Sequence, residues 1–173
     1  MSVRIAWPDD ATAIAALQLR TWRTTYVDLL PAEALPDDVE AAAAAWVTAL
    51  RKPQDARNRV LVALERNRVV GFTMTGPAGD PDCDPVADAE LQELTVDPAE
   101  RGKGHGSRLL QAAVDTMLAD KFARAVLWTI AGDDALRVFL SEAGWAPDGA
   151  HRGLDLDGTG TTVVKQVRLH TAF

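Results

Sequence analysis

Residues 90–110 read ELQELTVDPAERGKGHGSRLL. The apolar Leu91, Leu94 and Val96 predict a strand, which runs into Pro98 and then into the turn Arg101-Gly102-Lys103-Gly104-His105-Gly106. Beyond it, Leu109, Leu110, Ala113, Val114, Met117 and Leu118 mark one face of a helix. Glycines let the backbone come close to a ligand and take positive φ, so that N–H groups converge on an anion. The helix that follows adds unpaired N-terminal donors and the positive end of its dipole. Arg101, Lys103 and Arg108 supply three positive charges with no acidic residue between them, in a chain whose net charge is −7. A local reversal of charge on a glycine-rich strand–turn–helix predicts a phosphate or pyrophosphate site. The strand carries a second signal. Its period-2 alternation slips by one residue near Gln92 and Glu93, which predicts a β-bulge, a device that bends a strand and frees backbone groups for a ligand.

Outward from this segment the chain reads as strands and helices in mixed order. Val3 to Ala6 is a short strand, and Pro8, Asp9 and Asp10 open a helix with apolar positions Ile14, Leu17 and Trp22. Pro31 and Pro36 break the chain before an alanine-rich helix that reaches about Leu50. Val60–Leu64 and Val69–Thr75 predict a hairpin across Glu65 to Arg68. A loop with three prolines and four aspartates, Gly76 to Asp88, leads into the strand Ala89–Val96. After the turn and its helix come a strand at Ala125–Ile130, a helix at Asp134–Glu142 ended by Gly144, and two strands near Arg152–Leu156 and Val163–His170. The expectation is an α/β (α+β) domain over residues 1–173, with helices on the faces of the sheet and no pure Rossmann alternation.

Composition narrows the classes further. The chain has 173 residues, 47% of them apolar and 25% charged, which suits one folded domain and argues against disorder. No apolar run approaches the roughly 20 residues of a membrane span. Early charges at Arg4, Asp9 and Asp10 argue against a signal peptide, and the single cysteine, Cys83, can form no internal disulfide, so a cytoplasmic protein is expected. The acidic balance disfavours a general nucleic-acid or membrane-surface binder. Asp80, Asp82 and Asp84 alternate as in a calcium loop, but Pro85 and Leu91 stand where that loop needs Gly and Glu, and His105, His151 and His170 share no metal-ligand spacing with Cys83. No metal is expected, and the acidic loop reads as a solvated surface.

The turn lacks the Walker spacing, and Gly102, Gly104 and Gly106 run G-x-G-x-G where the dinucleotide fingerprint needs G-x-G-x-x-G. Its own spacing, Arg-x-x-Gly-x-Gly, resembles the acetyl-CoA-binding signature of the GNAT-superfamily N-acetyltransferases. The resemblance implies a GNAT fold, a mixed and mostly antiparallel sheet of about seven strands flanked by about four helices. It implies that Arg101, Gly102, Lys103, Gly104, His105, Gly106 and Ser107 cradle the pyrophosphate of acetyl-CoA. It also implies that the bulge parts two strands to admit the pantetheine arm, held by the main chain of Leu94, Thr95 and Val96. A second stretch, LWTIAGDDALRVFLSEAGW over Leu127 to Trp145, is similar to the family's other cofactor segment, with Phe139 and Gly144-Trp145 in place and Asp133 where Asn is usual. Leu140 stands where the family commonly has a tyrosine that protonates the departing thiolate. Leucine has no proton to give, and general-acid help is worth roughly 10²–10⁴-fold.

The implied reaction is direct attack of an amine on the thioester, the acceptor being a small molecule or a peptide amine. A carboxylate must take the amine's proton, and Glu90 and Glu93, on either side of the expected bulge, are the candidates. Trp22 and Tyr26 lie where this family's acceptor usually enters, although Trp22 also reads as core. The chain's only tyrosine, Tyr26, is far from the α-helix that lacks one. Two other readings stay open: a non-catalytic acyl-CoA-binding module, which Leu140 favours, and a nucleotide-binding enzyme. The resemblance allows a homodimer and leaves the acceptor unnamed.

Overall fold

Arg66 and Asn67, both at positive φ (49° and 63°), make the two-residue turn of a tight hairpin, a conformation that asparagine tolerates and that matches the twist of the strands it joins. Around this hairpin the computed structural model, which describes residues 1–156 and 158–173, builds a seven-stranded sheet. The elements are β1 (Ser2–Ile5), α1 (Ala11–Thr25), α2 (Val39–Arg51), β2 (Arg59–Glu65), β3 (Arg68–Pro77), β4 (Asp88–Val96), α3 (His105–Ala119), β5 (Arg124–Ile130), α4 (Asp134–Glu142), β6 (Ala146–Asp155) and β7 (Val163–Ala172). The strand order is β1-β2-β3-β4-β5-β7-β6, antiparallel throughout except between β4 and β5, which α3 connects in parallel. This is the mixed α/β sheet with four helices that the resemblance implied.

Alternation along the strands divides the interior in two. Leu61, Ala63, Val70, Ala89 and Leu91 face α3 and α4, where they pack with Leu109, Ala113, Met117, Leu140 and Trp145. Val62 and Phe72 face the other way, against Ile14 and Leu17 of α1 and Trp46 of α2. Trp46 meets Phe72 edge-on, with ring centroids 5.3 Å apart. Gly71 marks the closest approach of α3 to β3: a Cβ there would lie 2.9 Å from Leu109 Cδ1 and 2.8 Å from the Thr95 carbonyl oxygen.

Two sequence expectations change. The strand expected near Arg152–Leu156 begins at Ala146, directly after Trp145. Within β6 the register shifts between Pro147 and His151, with Gly149 at φ 88°, so the strand carries an irregularity there. The acidic loop is not merely a solvated surface either. Arg168 of β7, 5% exposed, donates to Asp82 (2.6 Å), Asp80 (3.0 Å) and Asp148 (2.6 Å), and Trp128 Nε1 adds a bond to Asp80 at 2.8 Å. Arg152 lies over the Trp128 ring at 4.1 Å. One buried cation thus ties the loop after β3 to both C-terminal strands, and it bonds two of the three residues (Asp80, Asp82, Cys83) whose possible ligand atoms lie within 4.8 Å of one another.

Arg168 holds the Asp82 carboxyl down to about 2 through its hydrogen bonds, so this contribution to stability is complete above the ordinary aspartate range and is lost as pH falls toward 2. Arg168→Gln is expected to lower stability by about 3 kcal/mol near neutrality, since it takes the buried cation from the half-buried Asp148 and Asp80 and leaves them only Ala150 N–H, Trp128 and the more distant Arg152. In denaturant titrations the deficit should narrow between about pH 4 and pH 2.

Candidate functional site

The site starts with one unpaired residue. Met74 lies opposite Glu93 and Thr75 opposite Leu91, so Gln92 is the extra residue of a bulge in β4. The Thr73 hydroxyl holds the bulge by donating to the Glu93 carbonyl oxygen at 2.6 Å. The extra residue turns β4 by one step. Leu91 faces α3, yet Glu93 and Thr95 both lie on the α1 side, where Thr95 Oγ1 donates to Glu93 Oε1 at 3.0 Å. Glu90 and Glu93, three residues apart, would face opposite ways on a regular strand; the bulge puts both on one side of the sheet.

On its other edge β4 pairs with β5 only through Asp88, Ala89 and Glu90, and past this point the ladder ends. β5 continues to Ile130 on β7 alone. The far half of β4 therefore turns a row of main-chain groups toward the gap between the strands. A cavity of about 480 Å³ occupies that gap, lined by Leu94, Thr95 and Val96 from β4. Glu100, Arg101, Gly102, Gly104, His105, Gly106 and Ser107 wall one end of it. Asp133, Ala135, Leu136 and Phe139 of the α4 region wall the second side, and Thr21, Thr25 and Tyr26 at the end of α1 the third.

The turn is shaped by Gly102 (φ 75°) and Gly104 (φ 84°), a left-handed backbone that side-chain-bearing residues rarely take. Asp97, buried, pins its start by accepting from Ala99 N–H at 3.0 Å and from Arg20 at 2.8 Å. The first turn of α3 has no side-chain cap, so its N–H donors are left for whatever fills the cavity. Thr21 Oγ1, also on the wall, is buried with no hydrogen-bond partner. A buried polar atom without a protein partner beside a cavity suits a ligand that can hydrogen-bond to it. Asp133, at 8% exposure, caps α4 by accepting from Leu136 N–H at 3.2 Å.

The cation count falls short of the sequence expectation. Lys103 does not line the cavity, and its Nζ donates to Glu100 at 2.7 Å, where Arg68 pairs as well. Glu100 lies before the glycines in sequence, but its position in a 3₁₀ turn brings it back beside Lys103 at i+3. Arg101 remains, its guanidinium donating to Thr25 Oγ1 at 2.8 Å and so joining the turn to α1. His105 is 1% exposed with both ring nitrogens unbonded, Nε2 being 3.8 Å from the Glu65 carboxylate.

Of the expected site residues, Leu94, Thr95, Val96, Arg101, Gly102, Gly104, His105, Gly106, Ser107, Asp133, Phe139 and Tyr26 meet at the one cavity. Trp22, Glu90, Glu93 and Lys103 stand off it. Trp22 is a half-buried donor, its Nε1 lying 3.3 Å from Glu93 Oε1. Gln18 donates to Glu93 Oε2 at 2.7 Å and accepts from Trp46 at 3.1 Å, so a polar chain runs from α2 through α1 to the bulge. Burial pushes the Glu93 carboxyl above its usual value, against three donors that pull it down; burial and the charge of Asp80 raise Glu90 likewise. Thr21, Thr25, Glu100, Ala135 and Leu136 were not among the expected site residues; the i, i+4 spacing of the two threonines puts them on one helix face, but only the fold brings that face to β4.

Residues 13–145 match the model of the acetyltransferase (GNAT) family. A search of curated protein sequences finds no match. Among solved structures, the chain is similar to ribosomal-protein-alanine N-acetyltransferase from Brucella melitensis (21% identity, TM-score 0.77, all of both chains covered). It is similar also to the PaiA N-acetyltransferase of Thermoplasma acidophilum in complex with coenzyme A (15%, TM-score 0.72, 99% of this chain and 98% of that one). YncA from Salmonella typhimurium, solved with its cofactor acetyl-CoA, is a third (19%, TM-score 0.73, 99% and 93%). At these identities the likeness is one of fold.

The buried Glu93 carboxyl should titrate above the usual glutamate range, and its partner Trp22 reports it. The Trp22 indole N–H resonance is expected to move with pH at a midpoint above that range and to become flat in Glu93→Gln; a midpoint at or below the usual value would refute the burial argument.

Proposed function

The chain belongs to the acetyltransferase (GNAT) family, and we propose that it transfers an acetyl group from acetyl-CoA to a primary amine by direct attack, residues 1–173 serving as one catalytic unit. The observation that carries this reading is the continuity of the cavity, from the unpaired edge of β4 to the uncapped start of α3. In it, Arg101, Gly102 and Gly104 to Ser107 hold the pyrophosphate, chiefly through main-chain N–H groups and the helix dipole. Lys103 contributes little, being paired with Glu100. The main chain of Leu94 to Val96 holds the pantetheine arm and polarises the thioester carbonyl, while Phe139 and Asp133 complete the wall. Thr21 Oγ1 offers the arm one more hydrogen bond.

Glu90 or Glu93 accepts the amine's proton, directly or through water. Their shared side of the sheet and raised affinity for a proton suit that role. The acceptor approaches from the same side, past Trp22 and the end of α1. No metal takes part in the proposed chemistry. A second reading, an acyl-CoA-binding module without turnover, draws support from Leu140, which is 0% exposed in the core and absent from the cavity wall.

Calorimetric titration with acetyl-CoA, paired with a free-thiol assay over a panel of primary amines, tests the proposal. Wild type is expected to bind and to release thiol with at least one amine. Gly106→Trp should weaken binding by about 100-fold, or about 2.8 kcal/mol. A Cβ at Gly106 already sits 3.5 Å from Phe139 Cζ and 3.7 Å from Val96 Cγ2, so an indole must enter the cavity. Binding of ATP or NAD with none of acetyl-CoA would return the nucleotide reading.

A further inference from the structure

Acyl transfer needs a proton for the departing sulfur, and the α4 position where the family resemblance puts a tyrosine holds a fully buried leucine, Leu140. We propose that Tyr26, at the end of α1, is the general acid that protonates the thiolate. This rests on the acetyl-transfer reading above and assigns a proton donor within it.

The assignment follows from what lines the cavity. Among the described residues that line it, five carry a hydroxyl: Thr21, Thr25, Thr95, Ser107 and Tyr26. Thr25 accepts from Arg101, and Thr95 donates its own hydrogen to Glu93. Aliphatic hydroxyls are in any case far weaker acids than a phenol, so that Tyr26, even held at about 12, is the most acidic hydroxyl-bearing side chain among them. Tyr26 is the chain's only phenol. Its backbone is well anchored: its N–H donates to the Trp22 carbonyl at 2.9 Å, and its own carbonyl accepts from Leu29 (3.0 Å) and Leu30 (2.8 Å). The adjacent Thr25 is tied to the glycine turn through Arg101, so the backbone that carries Tyr26 is held beside the pyrophosphate end of the site.

The charged groups that act on the phenol are Asp133 from the start of α4, Glu93 from β4 and Arg101 from the turn. Burial, then Asp133 and Glu93, push it up to about 12, while Arg101 pulls it down. It is therefore a neutral donor across the neutral range. As the amine nitrogen bonds to the carbonyl carbon and the C–S bond breaks, its electron pair goes to sulfur and Tyr26 gives sulfur its O–H proton. The proton that the nitrogen sheds to Glu93 or Glu90 then returns to the phenolate, so amine and thioester become amide and thiol with no net change in the enzyme.

Tyr26→Phe keeps the ring and deletes only the hydroxyl. With acetyl-CoA, turnover is measured as free thiol with the amine panel and with water alone as acceptor, and affinity by calorimetry. The expected result is a fall in kcat of about 100-fold or more, with acetyl-CoA Kd and amine KM held within about twofold. A variant that turns over within about threefold of wild type overturns the assignment and leaves acetyl transfer standing. A variant that loses acetyl-CoA affinity makes Tyr26 a binding wall and also overturns it. Wild type that binds acetyl-CoA yet releases no thiol to any amine or to water sinks acetyl transfer and the assignment together.

Discussion

Gln92 has no partner across the sheet, and the positions of Glu90, Glu93 and the cavity all follow from that. A regular β4 would send Glu93 into the apolar layer beneath α3 and would bring Leu94 to the α1 side. The extra residue reverses that parity, so a carboxylate meets Gln18, Trp22 and Thr95 while Leu94 and Val96 keep their places against the core. It also adds to the local twist of the strand, and the β4–β5 ladder ends just before it, at Glu90. An unpaired strand edge in a protein interior is costly unless a ligand takes up its polar groups. The opening between β4 and β5 is therefore a built feature of the sheet.

The proposed pyrophosphate site answers in a specific way how an acidic protein would make room for an anion. Side-chain charge contributes less than the three cations of the turn suggest, because Glu100 accepts from Lys103 and pairs with Arg68. What remains is backbone: two glycines in left-handed geometry and a helix start with no side chain competing for its N–H groups. Fixed dipoles of this kind need no reorganisation when an anion arrives, and they do not repel the cationic form of an amine as a lysine cluster would.

Much of this was legible in the sequence because local chemistry determines it. The slip in alternation at Gln92 and Glu93, the spacing of Gly102, Gly104 and Gly106, and the periodicity from Leu109 to Leu118 are properties of short segments. Long-range pairing was not legible. Nothing in the loop's aspartates announces that Arg168, more than 80 residues on, will draw Asp80 and Asp82 inward. Nothing in Glu100 announces its pairing with Arg68 across the turn. The early start of β6 at Ala146 was not legible either: Pro147 and Gly149 interrupt the strand pattern, and an edge strand absorbs them as an irregularity.

Tyr26 unites these strands of argument. In sequence it lies more than 60 residues from the bulge and more than 100 from α4; in space it shares a cavity with Leu94, Asp133 and Phe139. What brings it there is the packing of α1 on β2 and β3 through Ile14 and Leu17, together with a polar chain in which Trp46 bonds Gln18 and Gln18 bonds Glu93 of β4. The same chain that holds the carboxylate thus also holds the helix that ends in the phenol. Shifting α1 by one turn, about 5.4 Å, would break the chain and withdraw Tyr26 from the gap. Acid and base would be lost together, which makes α1, and not α4, the helix on which the proposed chemistry depends.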